Sequence, residues 1–210
     1  MADSIVVRSL GIQSYASTLS RMHDFTDSRD AQTPDELWVL QHPQVYTLGQ
    51  AADVAHILDA GEIEVIKSDR GGQVTYHGPG QVIVYVMVDL RRRNLGVRSL
   101  VSLIENTVIE FLQRYKIESV SRRDAPGVYV ADSKIAALGL RVRRGCSFHG
   151  MALNVSMDLD PFSRINPCGY RGLGVTQLCD QTESPLSESV EVVGELLSDR
   201  LVDRLQQHGS

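Results

Sequence analysis

A cysteine and a lysine, far apart in the chain, are the residues whose types most readily support covalent chemistry. Cys168 lies in NPCGY, in an irregular stretch, and Lys134 stands before the apolar run IAALGL. A cysteine attacks as its thiolate, which a cationic or basic neighbour favours, and Lys134, His77 and His149 are the candidates. Free cysteines are also common as inert buried residues. Both roles stay open for Cys168, and Lys134 is either a surface residue or a partly desolvated ammonium.

A second chemistry-bearing stretch is RGGQVTYHGPGQ at positions 70–81, directly before the apolar run VIVYVMV. Its glycines allow a ligand to reach backbone N–H groups, and Arg70, Thr75 and His77 make it more polar than a plain turn requires. The stretch fits neither the P-loop pattern nor G-x-G-x-x-G, so a phosphate site is not indicated. It is either a glycine-rich turn into a buried strand or a binding loop, and the binding loop is the sharper hypothesis.

Composition and charge argue against several classes of protein. The 210 residues are 42% hydrophobic, as in ordinary globular domains, and a net charge of −5 argues against general nucleic-acid binding. The first ten residues lack the apolar core of a signal peptide, and the apolar run at 82–88 is too short to cross a bilayer. Three cysteines without a C-x-x-C pair indicate neither a disulfide framework nor a zinc site. We therefore expect a reduced, cytoplasmic protein with no nucleic-acid and no membrane partner.

The elements that must position these residues are predicted from hydrophobic periodicity. Runs rich in branched residues predict strands at SIVVRSL, ELWVLQH, IEVIKS, VIVYVMVDL and SFHGMALNV, and a hairpin over GVYVADSKIAALGLRVRR. Helical spacing predicts a helix from Ser14 to about Asp27, a second that begins at the capping-box pattern of Ser102 and Glu105, and a closing helix from Ser187 to about Gln207. We expect an α/β (α+β) fold, a single domain over 1–210 with a mixed β-sheet flanked by helices.

Four linked motifs resemble one known family. RGGQVTYHGPGQ, SKIAALGLRV, FHGMALNV and NPCGYRGLGVTQL occur in the order and spacing of the lipoyl(octanoyl) transferases of lipoate biosynthesis. The opening HPQVYTLGQ is also similar to that family, and the resemblance runs from about Trp38 to Leu178. It implies a fold like that of the biotin and lipoate protein ligases, with an acyltransferase core at about 38–178 and a C-terminal helix at about 187–207.

The resemblance also implies an activity and roles for individual residues. An octanoyl group would pass from octanoyl-acyl carrier protein to a lysine on the lipoyl domain of a 2-oxoacid dehydrogenase E2 subunit or on glycine-cleavage H protein. Cys168 would carry the group as a thioester, and Lys134 would lower the thiol pKa and handle the proton. No metal, nucleotide or other cofactor is implied. The acyl-binding residues would be Arg70, Gly71, Gly72, Gln73, Val74, Thr75, Tyr76, His77, Ala137, Leu138, Gly139, Gly150, Met151 and Ala152.

Burial of the alkyl chain in the pocket implied by the resemblance would contribute substantially to the binding free energy. Burying about six methylenes at ~0.8 kcal/mol each supplies roughly 5 kcal/mol. The sequence departs from the family at Tyr129, where tryptophan is frequent, and near Gly174, where a bulkier residue is frequent. Both departures bear on the preferred chain length and leave the reaction unchanged.

Three other functions are weighed against this one. An ATP-dependent lipoate, octanoate or biotin protein ligase would use magnesium and a nucleotide and would not need Cys168. A protein-to-protein octanoyl amidotransferase would share the chemistry and differ in its donor. A non-catalytic binding module on the same fold would make Cys168 structural.

Two arginine clusters, 91–93 and 141–144, are either solvated turns or docking points. Because the chain is acidic overall and acyl carrier protein is an acidic partner, a local basic patch would help docking. The hypothesis is that these clusters dock the carrier protein.

Overall fold

The computed structural model describes residues 4–166 and 173–208. The described strands are β1 (Ile5–Ile12), β2 (Asp35–Gln41), β3 (Val45–Leu48), β4 (Glu64–Lys67), β5 (Val74–His77), β6 (Gln81–Met87), β7 (Val120–Ser121), β8 (Gly127–Val130), β9 (Ser133–Arg143) and β10 (Cys146–Asn154). The described α-helices are α1 (Tyr15–Ser28), α2 (Val97–Gln113), α3 (Leu178–Gln181) and α4 (Val190–Gln206). Short 3-10 turns cover Val54–His56 and Asp160–Arg164.

These strands form two sheets. The larger sheet has the order β1-β2-β6-β10-β9-β8-β7, and the smaller has the order β4-β3-β5. β1 runs parallel to β2 and β3 runs parallel to β4, whereas the other strand pairs in both sheets are antiparallel. Both sheets are therefore mixed, which confirms the predicted fold class of a mixed sheet flanked by helices.

Side-chain alternation along β6 shows how the larger sheet divides the interior. Val82, Val84 and Val86 face the main core, which α2 and α4 complete. Ile83 and Tyr85 face the opposite side, where Met22 of α1 packs. Residues two apart in a strand share a face, so β6 is buried on both sides. Two helices cover one face of the sheet, and α1 and the smaller sheet lie over the other.

The capping box predicted at Ser102 and Glu105 is wrong. α2 begins five residues earlier than Ser102, at Val97, with Gly96 at the N-cap position, so both residues lie inside the helix. Ser102 is exposed, and the Glu105 carboxylate accepts a hydrogen bond from the N–H of Gly127 on β8. A tertiary hydrogen bond has replaced the local one that the spacing suggested.

A buried carboxylate holds three arginines at the start of β2. Asp35 has no exposed surface, and its Oδ1 lies 2.6 Å from Arg29 Nη2 and 3.4 Å from Arg92 Nη1. Its Oδ2 accepts from Arg93 Nε at 2.8 Å, and Asp89 N donates to Oδ1 at 2.9 Å. This set of bonds ties the loop after β6 to β2 and to the end of α1.

The Asp35 cluster overturns part of the docking hypothesis. Arg93 is only 2% exposed and Arg92 is turned onto Asp35, so the 91–93 cluster is not an exposed basic patch. In the second cluster, Arg143 pairs with Asp27 and Arg144 donates to the Asp27 carbonyl. Arginines in a turn-rich segment are usually solvated, but the buried Asp35 carboxylate binds Arg92 and Arg93.

Within residues 4–166 and 173–208, none of the helices has both the length and the apolar character needed to cross a bilayer.

Replacing Asp35 by alanine should destabilise the protein by about 3–5 kcal/mol, because it leaves buried guanidinium groups without their counter-charge. Chemical denaturation of the purified variant measures the change in the free energy of unfolding.

Asp132→Ala is the matched control for Asp35→Ala. The Asp132 carboxylate pairs with Arg122 at 2.8 Å but is fully exposed, so solvent screens the pair and its loss should leave the free energy of unfolding close to that of the wild type. Equal losses of stability in the two variants would contradict the structural role of Asp35.

Candidate active site

A cavity lies between the larger sheet and the loop that leads into β5. The empty space of the cavity, together with its open mouth, is about 780 Å³. Its walls come from β5, β6, β9, β10, the 70–73 loop and the start of α1. The described lining includes most of the residues that the sequence analysis selected: Arg70, Gly72, Gln73, Val74, Thr75, His77, Lys134, Ala137, Leu138, Gly139, Gly150, Met151 and Ala152.

Small residues on two paired strands form the floor of this cavity. Ala137 on β9 pairs with Ala152 on β10, and Gly139 pairs with Gly150. A Cβ on Gly150 would collide with the carbonyl of Val84 on β6, and one on Gly139 would lie 2.9 Å from the carbonyl oxygen of Gly71. The two glycines therefore allow the backbones to approach closely, and the two alanines keep the side chains of the floor small.

The guanidinium of Arg70 holds the wall opposite this floor. Its Nε donates to Thr47 Oγ1 at 3.0 Å and its Nη2 to the Thr47 carbonyl at 2.6 Å. Nη2 also donates to the Gln73 carbonyl at 2.8 Å, and Nη1 donates to the Gly71 carbonyl at 3.0 Å. Arg70 is buried, and these bonds to backbone and hydroxyl oxygens satisfy donors that would otherwise be costly to bury. Arg70 therefore acts as the internal brace of the 70–73 loop.

Part of the stretch predicted as a binding loop is a strand. β5 pairs with β3, with Thr75 opposite Thr47 and His77 opposite Val45. The strand forms because it pairs with β3. The glycine-rich sequence around it does not indicate this pairing.

Two of the predicted acyl-binding residues lie outside the described lining of the cavity. Tyr76 packs against Tyr46 and Phe162, with ring centroids 5.6 and 5.3 Å away. Gly71 donates its N–H to the carbonyl of Leu140 on β9 at 3.0 Å. Both residues hold the wall together from behind, so the structure brings the other members of the set together and leaves these two aside.

A β-bulge turns Lys134 toward the cavity. Lys134 and Ala137 both line it, although residues three apart in a regular strand point to opposite faces. The register of β9 against β8 shifts between Val128 and Tyr129, and Ile135 and Ala136 both join the main core. A bulge re-aims a side chain in this way. It places Lys134 on the same wall as the small residues of β9.

The Lys134 side chain is 95% buried and lies in a polar niche at the edge of the cavity. Its Nζ donates to the carbonyl of Pro126 at 3.3 Å and lies 5.2 Å from the centre of the Tyr129 ring. A carbonyl oxygen and the face of an aromatic ring both favour the protonated amine. These neighbours therefore offset part of the cost of burying an ammonium.

Polar residues line the cavity, but several of their polar atoms are hydrogen-bonded to other protein groups. His77 Nδ1 lies 2.8 Å from Gln81 Oε1, and Gln81 Nε2 donates to Asn154 Oδ1 at 2.8 Å. Tyr85 Oη lies 2.7 Å from His42 Nε2. Because these polar atoms are bonded to protein groups, the rings present mainly carbon to the cavity.

The imidazoles beside the cavity are neutral at neutral pH. Burial holds the pKa of His77 well below its usual value, and the positive charge of Arg70 acts in the same direction. Burial also lowers the pKa of His42 to about 4. Burial lowers the pKa of His149 too, while its 2.8 Å hydrogen bond to Asp69 opposes the shift. His77 and His149, the two alternative activators of Cys168, are thus neutral groups that are already hydrogen-bonded.

Sequence reasoning missed several residues of the lining. Ile83 and Tyr85 follow from the alternation of β6, and Gln81 closes the RGGQVTYHGPGQ motif itself, so a signal existed for these three. Tyr15 and Phe162 reach the cavity from distant segments, with no local pattern to identify them. The full set that was missed is Tyr15, Gln81, Ile83, Tyr85, Asn154, Phe162 and Val175.

Cys168 lies outside the described residues, but the chain on both sides of it is anchored. Asn166 is buried, and its N–H donates to the His56 carbonyl at 2.8 Å. Beyond the gap, the Gly174 carbonyl accepts from Lys134 N at 2.8 Å, and Thr176 N donates to the Lys134 carbonyl at 3.0 Å. The segment that follows Cys168 in sequence therefore returns to the backbone of Lys134 itself.

Comparison with known proteins gives the family. The model of the lipoyl protein ligase A/B catalytic domain matches residues 14–200. An octanoyltransferase of Enterobacter sp. (strain 638) is 55% identical over 200 residues, which cover 95% of this chain and 92% of that protein. An octanoyltransferase of Yersinia pestis (strain Pestoides F) is 60% identical over 174 residues, 83% of this chain and 75% of that protein.

A solved structure shares the fold at low sequence identity. The crystal structure of lipoate-protein ligase A bound with ATP superposes with a TM-score of 0.73 at 14% identity, over 99% of this chain and 85% of that one. At this identity the likeness concerns the fold alone, and the assignment rests on the closer relatives. The chain belongs to the lipoyl protein ligase A/B catalytic domain family and, within it, to the octanoyltransferases, and it is an acyltransferase.

Proposed function

We propose that this acyltransferase moves octanoyl from octanoyl-acyl carrier protein to a lysine of lipoyl domains, through a thioester on Cys168. One observation carries the proposal: a single cavity gathers small and apolar residues from β5, β6, β9 and β10, with the Lys134 amine in its wall. The chain beyond Cys168 is bonded to the backbone of that same lysine. An apolar pocket and an amine beside a cysteine-bearing segment are the parts that acyl transfer requires.

The cavity supports the proposed binding of an alkyl chain. Ala137, Ala152 and Met151 offer apolar surface, and the neighbouring rings have their polar atoms bonded elsewhere. Burying about six methylenes contributes roughly 5 kcal/mol to binding. Arg70, Gly72, Gln73, Val74, Thr75 and His77 form the proposed upper wall, and Leu138, Gly139 and Gly150 complete the floor. Gly71 and Tyr76 support that wall from behind.

The first proposed step transfers the acyl group to the enzyme. The thiolate of Cys168 attacks the carbonyl carbon of the carrier thioester, and a C–S bond forms as the carbonyl oxygen takes the negative charge. Collapse of this intermediate breaks the original C–S bond. The carrier sulfur leaves and takes a proton from the Lys134 ammonium. The products are the octanoyl thioester of Cys168, a free carrier thiol and a neutral Lys134.

The second proposed step transfers the acyl group to the acceptor. The neutral amine of the acceptor lysine attacks the Cys168 thioester and forms the amide bond, and the Cys168 thiolate leaves. Lys134 takes up the proton that the attacking nitrogen releases and returns to its ammonium form. The enzyme therefore ends the cycle in its starting state.

The partners and setting of this reaction follow from the same proposal. The donor is the acyl carrier protein thioester, and the acceptors are the lipoyl domains of 2-oxoacid dehydrogenase E2 subunits and glycine-cleavage H protein. A free thiol at Cys168 requires a reducing compartment, so we place the reaction in the cytoplasm. The whole chain would act as one catalytic domain.

Cys168→Ala should abolish the acyl-enzyme and lower turnover by roughly 10³-fold or more, because it removes the nucleophile. Intact-protein mass spectrometry after brief mixing with octanoyl-acyl carrier protein, without ATP, measures the adduct. The wild type should carry a hydroxylamine-labile octanoyl group.

Cys179→Ala is the control for this measurement, since Cys179 lies on α3 and donates to Asp180. It should acylate like the wild type. If the wild type stays unmodified and instead forms an acyl-adenylate from octanoate and ATP, the protein is a ligase and the proposal is wrong.

Lys134→Met should slow acylation by roughly 10²–10⁴-fold, because the proton donor and the positive charge beside the thiolate are both lost. Single-turnover formation of the Cys168 adduct, followed by mass spectrometry, gives the rate constant. Lys67→Met is the control, since Lys67 is exposed on β4. An acylation rate unchanged by Lys134→Met would remove the lysine from the mechanism.

Ala152→Leu should shift the acyl preference from octanoyl toward hexanoyl by roughly tenfold, because the larger side chain takes up the room of about two methylenes, worth about 1.6 kcal/mol of burial. The ratio of kcat/KM for the two carrier thioesters measures the shift. Ala31→Leu, at an exposed loop position, should keep the wild-type ratio. If the ratio is the same in all three proteins, the chain does not bind over β10.

A further inference from the structure

A buried carboxylate on α2 faces the niche that holds the Lys134 amine. Glu105 is 7% exposed, although the buried positions around it on α2 are mostly apolar. A buried carboxylate is costly unless hydrogen bonds and an opposite charge compensate it. The two-step reaction described above makes no use of Glu105, so its burial needs another explanation.

The contacts of Glu105 lead directly to Lys134. Glu105 Oε1 accepts from Gly127 N at 2.9 Å. Gly127 has a φ of +147°, and a Cβ there would lie 3.1 Å from Lys134 Cε and 3.3 Å from Nζ. The amine end of Lys134 therefore lies close to the Cα of Gly127, the residue whose N–H donates to Glu105. The same Cβ would lie 2.6 Å from the carbonyl oxygen of Ala136, so glycine at position 127 allows this close approach of β8, β9 and the lysine.

The neighbouring backbone is held in the same way from the other side. Tyr129 Oη donates to the Ala125 carbonyl at 2.8 Å, and the next carbonyl, that of Pro126, accepts from Lys134 Nζ. The 125–127 segment is thus held by Tyr129 at one end and by Glu105 at the other. Its carbonyl and its glycine together form the seat of the lysine amine.

The charges around this seat come from several elements. Glu105 reaches it from α2, Tyr129 from β8, and Arg122 lies on the Tyr129 ring, 4.3 Å from its centre. From the cavity side, Arg70, His77 and His149 share the lining with Lys134, and both imidazoles have lowered pKa values. Among these groups Glu105 is the one that bears a carboxyl group.

The pKa of Glu105 reflects the same contact. Burial raises the pKa of its carboxyl, while the Gly127 N–H and the positive charge of Lys134 oppose the rise. The charge on each of these two residues therefore favours the charge on the other.

We infer that Glu105 is a positioning residue for the proposed reaction: it fixes the backbone seat of Lys134 through Gly127, and its negative charge keeps the amine as an ammonium. The inference rests on the proposed roles of Lys134 and Cys168. Glu105 then acts on Cys168 indirectly. It stabilises the Lys134 ammonium, and the positive charge of that ammonium stabilises the Cys168 thiolate.

The experiment is the pH dependence of Cys168 alkylation by iodoacetamide, followed at that cysteine by peptide-resolved mass spectrometry. The proteins are wild type, E105Q, E105D and the control E110Q, with melting temperatures recorded for each. Glutamine keeps an acceptor for the Gly127 N–H and removes the charge, whereas aspartate keeps the charge on a side chain one methylene shorter. Glu110 lies on the same helix, where it pairs with Arg204, and should not affect Cys168.

E105Q should raise the pH midpoint of Cys168 alkylation by about one unit, which makes alkylation at a fixed lower pH about tenfold slower. E105D should shift the midpoint in the same direction by less, and E110Q should match the wild type. In a K134M background the E105Q change should have no further effect, because the residue through which it acts is gone.

Three results would overturn the inference. The first is an E105Q midpoint equal to that of E110Q. The second is a larger shift in E105D than in E105Q, which would make the Gly127 hydrogen bond the whole effect. The third applies if E105Q does not fold: an E105D midpoint equal to that of the wild type. A wild-type Cys168 without a lowered midpoint and without an octanoyl adduct would instead overturn the proposed function, together with the inference built on it.

Discussion

The shape of the cavity depends on the buried guanidinium of Arg70. This group joins β3 to the carbonyls of the 70–73 loop, and that loop is the wall that faces the small residues of β9 and β10. A glycine-rich segment loses much conformational entropy when it is ordered, and bonds to a buried cation offset that loss. Together with the hydrogen bond from Gly71 N to the Leu140 carbonyl of β9, these bonds set the distance of the loop from the sheet.

The floor beneath this wall is set by how closely backbones approach. Gly139 allows the Gly71 carbonyl to come near β9, and Gly150 allows β6 to come near β10. The wall and the floor can therefore meet at the cavity's edges while alanines leave room in its middle. This geometry leaves an apolar cavity between strands that are otherwise tightly packed.

The chemistry of the site depends on how charge is buried. The histidines near the cavity are neutral because burial disfavours their charged forms. Lys134 is also buried, but it has a carbonyl, an aromatic face and the Glu105 carboxylate around it. An amine can give up a proton, whereas the guanidinium of Arg70 cannot. Under the proposed function, proton transfer therefore falls to Lys134, while Arg70 holds the wall of the cavity.

The sequence by itself determined the mixed fold, the positions of β2, β6, β10, α1 and α4, and the segments that meet at the cavity. Those features follow from local periodicity and from motifs with distinctive residues. Only the tertiary structure decided that Lys134 faces the cavity, because a β-bulge reverses the side that strand alternation assigns to it. It also decided that Arg92 and Arg93 bind Asp35 and that Glu105 holds Gly127. Each depends on a partner distant in sequence, and local patterns carry no record of such pairings.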